Sequence, residues 1–227
     1  MPEKAAQKEP GKKPAPSQKP KPQQEVVVQI PLSELHPFPD HPFQVREDAS
    51  MQETAESVKE YGVLVPALAR PREDGGYELI AGHRRKHACE LAGLATMPVI
   101  VRDIDRDAAT IIMVDSNLQR ENILPSERAK AYKMKMEAIK RQGARTDLTS
   151  PKISAKFRSD DEVGQDAGVS GDTIRNYIAL TQLVPELQQM VDEKKIGMTP
   201  AVEISYLKPE EQQMLLTAID SEQATPS

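Results

Sequence analysis

The residues best suited to chemistry lie in one run, Ala81-Gly82-His83-Arg84-Arg85-Lys86-His87. Apolar residues precede it and a helical stretch follows, so it occupies a strand-to-helix turn. Glycine lets the backbone approach a ligand closely, and a helix N-terminus offers unbonded N–H groups to an anion. Two adjacent arginines add the forked donors that match phosphate oxygens. The chemistry these residues support is phosphate binding. The alternative is a basic surface helix whose arginines pair with nearby acids, an ordinary arrangement. His83 and His87 stand four apart, as metal-binding histidines do, but no Glu intervenes and no third ligand is evident. Further on, Asn117-Leu118-Gln119-Arg120-Glu121-Asn122 ends a helix. Its polar groups either return to the same phosphates or cap the helix end.

A second pattern runs from Asp160 to Tyr177. Gly168 stands where a turn between two helices needs a left-handed residue. Gly164 is small where two helices would cross. Val163 and Ala167 share the inner face of the first helix, Val169 anchors the turn, and Ile174 and Ile178 face inward from the second helix. Ser170 is placed to cap that helix. A helix-turn-helix sets its second helix in the DNA major groove, which makes Ser170, Gly171, Asp172, Thr173, Arg175 and Asn176 candidate DNA contacts. Arg reads guanine and Asn reads adenine by paired hydrogen bonds. An ordinary helical hairpin has the same spacing. Residues 151–200 hold six basic and eight acidic side chains, so phosphate contacts are sought instead in residues 127–145, with seven Lys/Arg and two Glu.

These two runs need elements to position them. Val26–Ile30 reads as a strand stopped by Pro31, and 36–46, with three prolines, as a loop. Ser50 and Glu53 form a capping box that opens a helix, and Gly62 ends it. Strands follow at 63–70 and 77–81 around a Gly75-Gly76 turn. The pattern then gives a helix over 83–92 containing Cys89 as a small buried residue, a strand at 98–102, and helices near 105–118 and 125–142. The last of these starts at Pro125 and carries an apolar stripe of Ala129, Tyr132, Met136 and Ile139. Residues 143–158 read as a linker, and from Ser159 the pattern is helical. The expected fold class is α+β: a small mixed α/β domain over 25–123, then an all-helical domain over 124–227 with the helix-turn-helix at about 160–180. Residues 1–24, with six lysines and two glutamates, read as a disordered Lys/Pro-rich tail, either solubilising or touching a partner.

Composition narrows the classes. Of 227 residues, one is Cys, which excludes an internal disulfide or a zinc cluster built on cysteine. No apolar run approaches the ~18–20 residues of a membrane span, and the first residues lack a signal-peptide core, which points to the cytoplasm. The net charge of −5 is uneven: +4 over residues 1–24 leaves −9 for the rest. Nucleic-acid binding then depends on a local basic patch.

Together these segments resemble the ParB partition family from about Gln29 to Leu215. Tyr77–Arg85 resembles that family's GERR box, and Leu91–Leu94 and Met97–Val101 continue it. Asn117–Glu121 resembles its ENLQRE box. Gly62, Pro66 and Arg70 resemble its G-x-x-Q-P-x-x-V-R box, and Gln44 and Arg46 its early Q-P-R. The resemblance implies an N-terminal fold similar to sulfiredoxin, a centromere-like double-stranded DNA target, and CTP with Mg²⁺ as cofactors. It also implies a ParA-type ATPase partner, a homodimer, and location on nucleoid or plasmid. By position, Gly62, Pro66, Gly82, His83, Arg84, Arg85, Asn117 and Arg120 would hold the nucleotide, with Asn117 also assisting the metal.

The sequence departs from that family at Val65, His83 and Ser116, where the boxes carry Gln and two glutamates. Neutral side chains do not replace carboxylates beside Mg²⁺. The expectation is a chain that binds nucleotide and is at most a weak CTP hydrolase. A second class is a helix-turn-helix transcription regulator without nucleotide switching. A third, sulfiredoxin-like reductase chemistry, lacks its cysteine in the loop, since Cys89 falls within the following helix.

Overall fold

A computed structural model describes residues 25–120, 122–147 and 159–222. The tail 1–24 and most of the expected linker, 148–158, lie outside them. Five strands form one sheet: β1 (Val27–Pro31), β2 (Leu35–Pro37), β3 (Ala67–Pro71), β4 (Tyr77–Ala81) and β5 (Thr96–Val101), in the order β1-β5-β3-β4-β2. β1 with β5 and β3 with β4 are antiparallel, and β3 with β5 and β2 with β4 are parallel. β1 lies at the sheet edge, where Pro31 closes the strand without removing an interior ladder bond.

Three helices accompany the sheet: α1 (Ala49–Tyr61), α2 (His83–Leu91) and α3 (Arg106–Leu118). Met51 and Val58 of α1 meet Ala88 and Cys89 of α2 over Ala67, Leu79, Met97 and Val99 of the sheet, forming one core. α4 (Pro125–Asp147) is the spine of the molecule. Its Ala131 packs with Phe38, Phe43, Ile80, Met113 and Val114, whereas Ala129 joins Leu180, Leu187 and Ile204, and Tyr132 joins Val163 and Ile174. The stripe expected from the 3.6-residue period, Ala129, Tyr132, Met136 and Ile139, faces the helical half, while Ala131, outside that stripe, meets the N-terminal half. α5 (Ser159–Ala167), α6 (Gly171–Ala179), α7 (Pro185–Asp192), α8 (Met198–Ser205) and α9 (Pro209–Glu222) complete the helical half. Gln212 of α9 is buried and ties three backbone groups together, accepting from the Val184 amide and donating to the Gln182 and Leu207 carbonyls.

Several expectations need correction. The cap of α1 is Asp48, whose carboxylate accepts from the Met51 amide at 2.9 Å, and Ser50 is already helical. An ionised acceptor at the N-cap also meets the helix dipole. Residues 63–66 are loop rather than strand: the Val65 and Pro66 carbonyls bond to Arg85, and Pro66 has no N–H to give a ladder. β2 starts at Leu35 and runs into the proline-rich segment read as loop. α4 continues through Asp147, into the stretch expected to be linker.

Candidate functional site

The β4–α2 turn has the shape its sequence suggested. Gly82 caps α2 at φ 113°, and a Cβ there would stand 2.8 Å from that of Ala67. Only glycine fits both the conformation and the space. Arg84, in the first turn of α2, lines a cavity of about 380 Å³, within the range of small-molecule sites. Its walls come from the loop before α1, the start of α2, and the α3–α4 connection, and include Arg46, Asp48, Ser50, Arg84, Arg120 and Glu127.

Three of those six are arginines, and the charges of Arg84 and Arg120 oppose each other. Arg84 donates to Ser50 Oγ at 3.2 Å and lies 3.7 Å from Asp48. Arg46 lies 3.9 Å from Glu127. The Arg120 pKa is lowered first by burial and then by the Arg84 charge, with Glu127 opposing. Guanidiniums gathered on one cavity form a receptor for an anion with several oxygens.

The other expected residues sit in the shell beneath. Arg85 is half-buried, and its Nη1 donates to the carbonyls of Val65 and Pro66, both at 2.6 Å. It thereby clamps the loop before β3. Pro66 reaches the site through that clamp, and Gly62 closes α1 at the start of the loop. His83 packs on His41 with ring centroids 4.0 Å apart. Burial, then His41, Arg120 and Lys86, depress the His83 pKa to about 3, so the ring is neutral. His41 is lowered as well, chiefly by burial, and its Nδ1 donates to the Phe43 carbonyl at 2.7 Å. Cys89 is buried in α2, where burial also raises its thiol pKa.

Asn117 does not line the cavity. It is buried, with Nδ2 donating to the Met113 carbonyl at 2.8 Å. Ser116 donates to that same carbonyl at 2.9 Å, and Asp115 bonds Lys135 at 2.6 Å. The carboxylates at the cavity are engaged too: both Glu127 oxygens accept, from the Gln44 and Leu124 amides at 3.1 and 3.2 Å, and Asp48 Oδ1 caps α1 and faces Arg84. Among the described residues no group of three or more His, Cys, Asp or Glu suits a metal ion. These residues do not fit a protein-built Mg²⁺ site, which needs free charged oxygens. Glu127 and Asp48 were missed in the sequence. Their one local signal is an acidic residue at a helix start.

α5 and α6 have the expected helix-turn-helix geometry. Gly168 has φ 68°, and Ser170 Oγ accepts from the Thr173 amide at 3.1 Å. Val163 and Ile174 are fully buried. Asn176 is exposed, and Gly171 opens α6. Arg175 is exposed too, but its guanidinium pairs with Asp160 and Asp172. The basic supply from α4 is smaller than its composition suggests. Lys135 is only 1% exposed beside Asp115, and Arg141 bonds Asp107.

This fold and its two sites define a class: a helix-turn-helix protein carrying a mixed α/β domain with an arginine-lined cavity. The ParB N-terminal domain model matches residues 16–118, and the ParB HTH domain model matches 152–225. The chain belongs to the ParB family. It is similar to the chromosome-partitioning protein Spo0J of Thermus thermophilus, 35% identical over 82% of this chain and 62% of that protein. Similarity extends to the stage 0 sporulation protein J of Bacillus subtilis, 32% identical over 77% of this chain and 56% of that protein. The chain thus spans roughly three fifths of those relatives' length. A crystal structure of the C-terminally truncated chromosome-partitioning protein ParB from Caulobacter crescentus, complexed to the centromeric parS site, is 26% identical with a TM-score of 0.53. That match covers 87% of this chain and 94% of that one. Among the described residues no helix is long and apolar enough to cross a membrane.

Proposed function

We propose that this chain is a DNA-segregation adaptor that binds a centromere-like duplex through α6 and CTP in the arginine-lined cavity. Residues 25–123 act as the nucleotide unit and 124–227 as the DNA unit, with α4 shared between them. The observation that carries the nucleotide reading is that Arg46, Arg84 and Arg120 line one cavity at a helix N-terminus. The capped α5–α6 pair supports the DNA reading, with Ser170, Gly171, Thr173, Arg175 and Asn176 at the groove. Arg175 reads a base by exchanging Asp160 and Asp172 for it. The family suggests a ParA-type ATPase as partner, a homodimer as the working form, and a place on nucleoid or plasmid. With neutral His83 beside the phosphate-binding turn and Ser116 bonded to its own helix, hydrolysis of bound CTP is slow or absent.

The same neutral His83 favours a second reading, a transcription regulator without nucleotide switching. One experiment separates the two. Fluorescence anisotropy on a palindromic centromere-like duplex and on a scrambled one, each with and without CTP, should show sequence-selective binding that CTP alters. Selective binding indifferent to CTP selects the regulator, and equal binding to both duplexes removes the DNA-reading role.

A further inference from the structure

We propose that the cavity takes its polyphosphate without a divalent cation, the arginines alone supplying the counter-charge. This rests on the reading of the cavity as a nucleotide site. A triphosphate brings several negative charges to one place, and they are neutralised either by a bound metal or by protein cations. A magnesium ion demands near-octahedral oxygen ligands at about 2.0–2.1 Å and retains its water reluctantly. A carboxylate that anchors it must have an oxygen to spare.

The two carboxylates lining this cavity spend three of their four oxygens on backbone amides, and Asp48, the half-exposed one, is also paired with Arg84. Glu127 Oε1 accepts from the Gln44 amide and Oε2 from the Leu124 amide, so it joins the proline-rich loop to the first turn of α4. Turning Glu127, itself buried, toward a metal would break both of these bonds to backbone amides. Asp48 Oδ1 accepts from Met51 and also faces Arg84. Asp115 is turned to buried Lys135, and the Ser116 and Asn117 side chains both donate to the Met113 carbonyl. Gln44, Ser50 and Asn122 add only neutral groups to the lining, and beside the turn the imidazoles of His41 and His83 pack with centroids 4.0 Å apart. Neutral ring nitrogen suits zinc, copper or nickel and is a poor ligand for magnesium.

The cationic side is the opposite case. Arg46, Arg84 and Arg120 line the cavity, Arg85 stands directly behind, and the first turn of α2 offers its amides. Forked guanidinium donors bind phosphate oxygens two at a time and need no metal to bridge them. A metal riding on the phosphates alone would gain little from this protein.

The test is calorimetric titration of CTP into the full chain, in Mg²⁺ and in EDTA at matched ionic strength, with Arg120→Ala alongside. The expected result is a Kd that changes by less than about threefold on chelation, and a loss of roughly tenfold or more for Arg120→Ala in both buffers. CTP binding that is tight in Mg²⁺ and at least about tenfold weaker in EDTA overturns the metal-free site while leaving the nucleotide reading intact. Absence of CTP binding in both buffers overturns the nucleotide reading and this inference with it. Unchanged binding in Arg120→Ala overturns the claim that arginines carry the charge.

Discussion

The α-carbon of Gly164 lies so close to the turn after α5 that a Cβ there would stand 2.6 Å from the Val169 carbonyl oxygen. That contact fixes how α6 leaves the turn, and so how the candidate reading helix is presented. Gly164→Ala must push the two helices apart, at a cost of about 1–3 kcal/mol for overpacking. We expect a lower melting temperature and weakened DNA binding, with CTP binding unchanged. Anisotropy and calorimetry on one preparation check this, and normal DNA affinity in Gly164→Ala would show that the α5–α6 angle is not needed.

Arg84 and Arg85 are neighbours in sequence with different duties. Arg84→Ala should weaken CTP binding by roughly tenfold or more, since a charge-assisted contact is lost, with little change in stability. Arg85→Ala should instead destabilise the chain by about 1–3 kcal/mol, because the Val65 and Pro66 carbonyls lose their shared donor. Urea unfolding of both variants separates them, and equal stability losses would refute the division.

His83 makes stability depend on pH. Its folded pKa is about 3 against an ordinary 6.5, so the unfolded chain takes up this proton first as pH falls. The stability gained by keeping His83 neutral is complete above about pH 6.5 and is lost progressively toward pH 3. Between pH 7 and pH 5 that loss is about 2 kcal/mol, at 1.36 kcal/mol per pH unit below 6.5. Denaturant melts should show this drop in the native chain and a flatter profile in His83→Gln. Parallel profiles would contradict the assignment.

Lys135 is 1% exposed and bonded to Asp115 at 2.6 Å. Asp115→Ala leaves a buried ammonium without that carboxylate, and we expect a loss of about 1–3 kcal/mol, moderated because Asp115 is partly exposed. Adding Lys135→Met should restore most of it, since an apolar chain of similar length fills the space between α3 and α4. A double variant as unstable as the single one would contradict this account.

Much of this was legible in the sequence where the signal is local. The β4–α2 turn, the α4 stripe and the α5–α6 pair each lie within one stretch of chain and follow period, glycine and cap. Gly82, Gly164, Ser170 and Ile174 stand where their types suggested. What was not legible depends on distant partners. β2 is three residues among prolines and owes its existence to parallel pairing of Leu35 with Tyr77. Glu127 belongs to the site through Gln44, 83 residues away in sequence. Arg85 was read as a ligand residue from its place beside Arg84 and from the family box, and its carbonyl partners, Val65 and Pro66, lie 20 and 19 residues away in a stretch read as strand. Asn117 was assigned by family position, and the structure instead buries it along α3.

The central claim is tested most directly by titrating CTP, with ATP as control, into the native chain and into Arg84→Ala/Arg120→Ala. The account predicts saturable one-site binding of CTP to the native chain, weaker binding of ATP, and loss of CTP binding in the double variant at an unchanged melting temperature. No binding to the native chain, or equal affinity in the double variant, would contradict it.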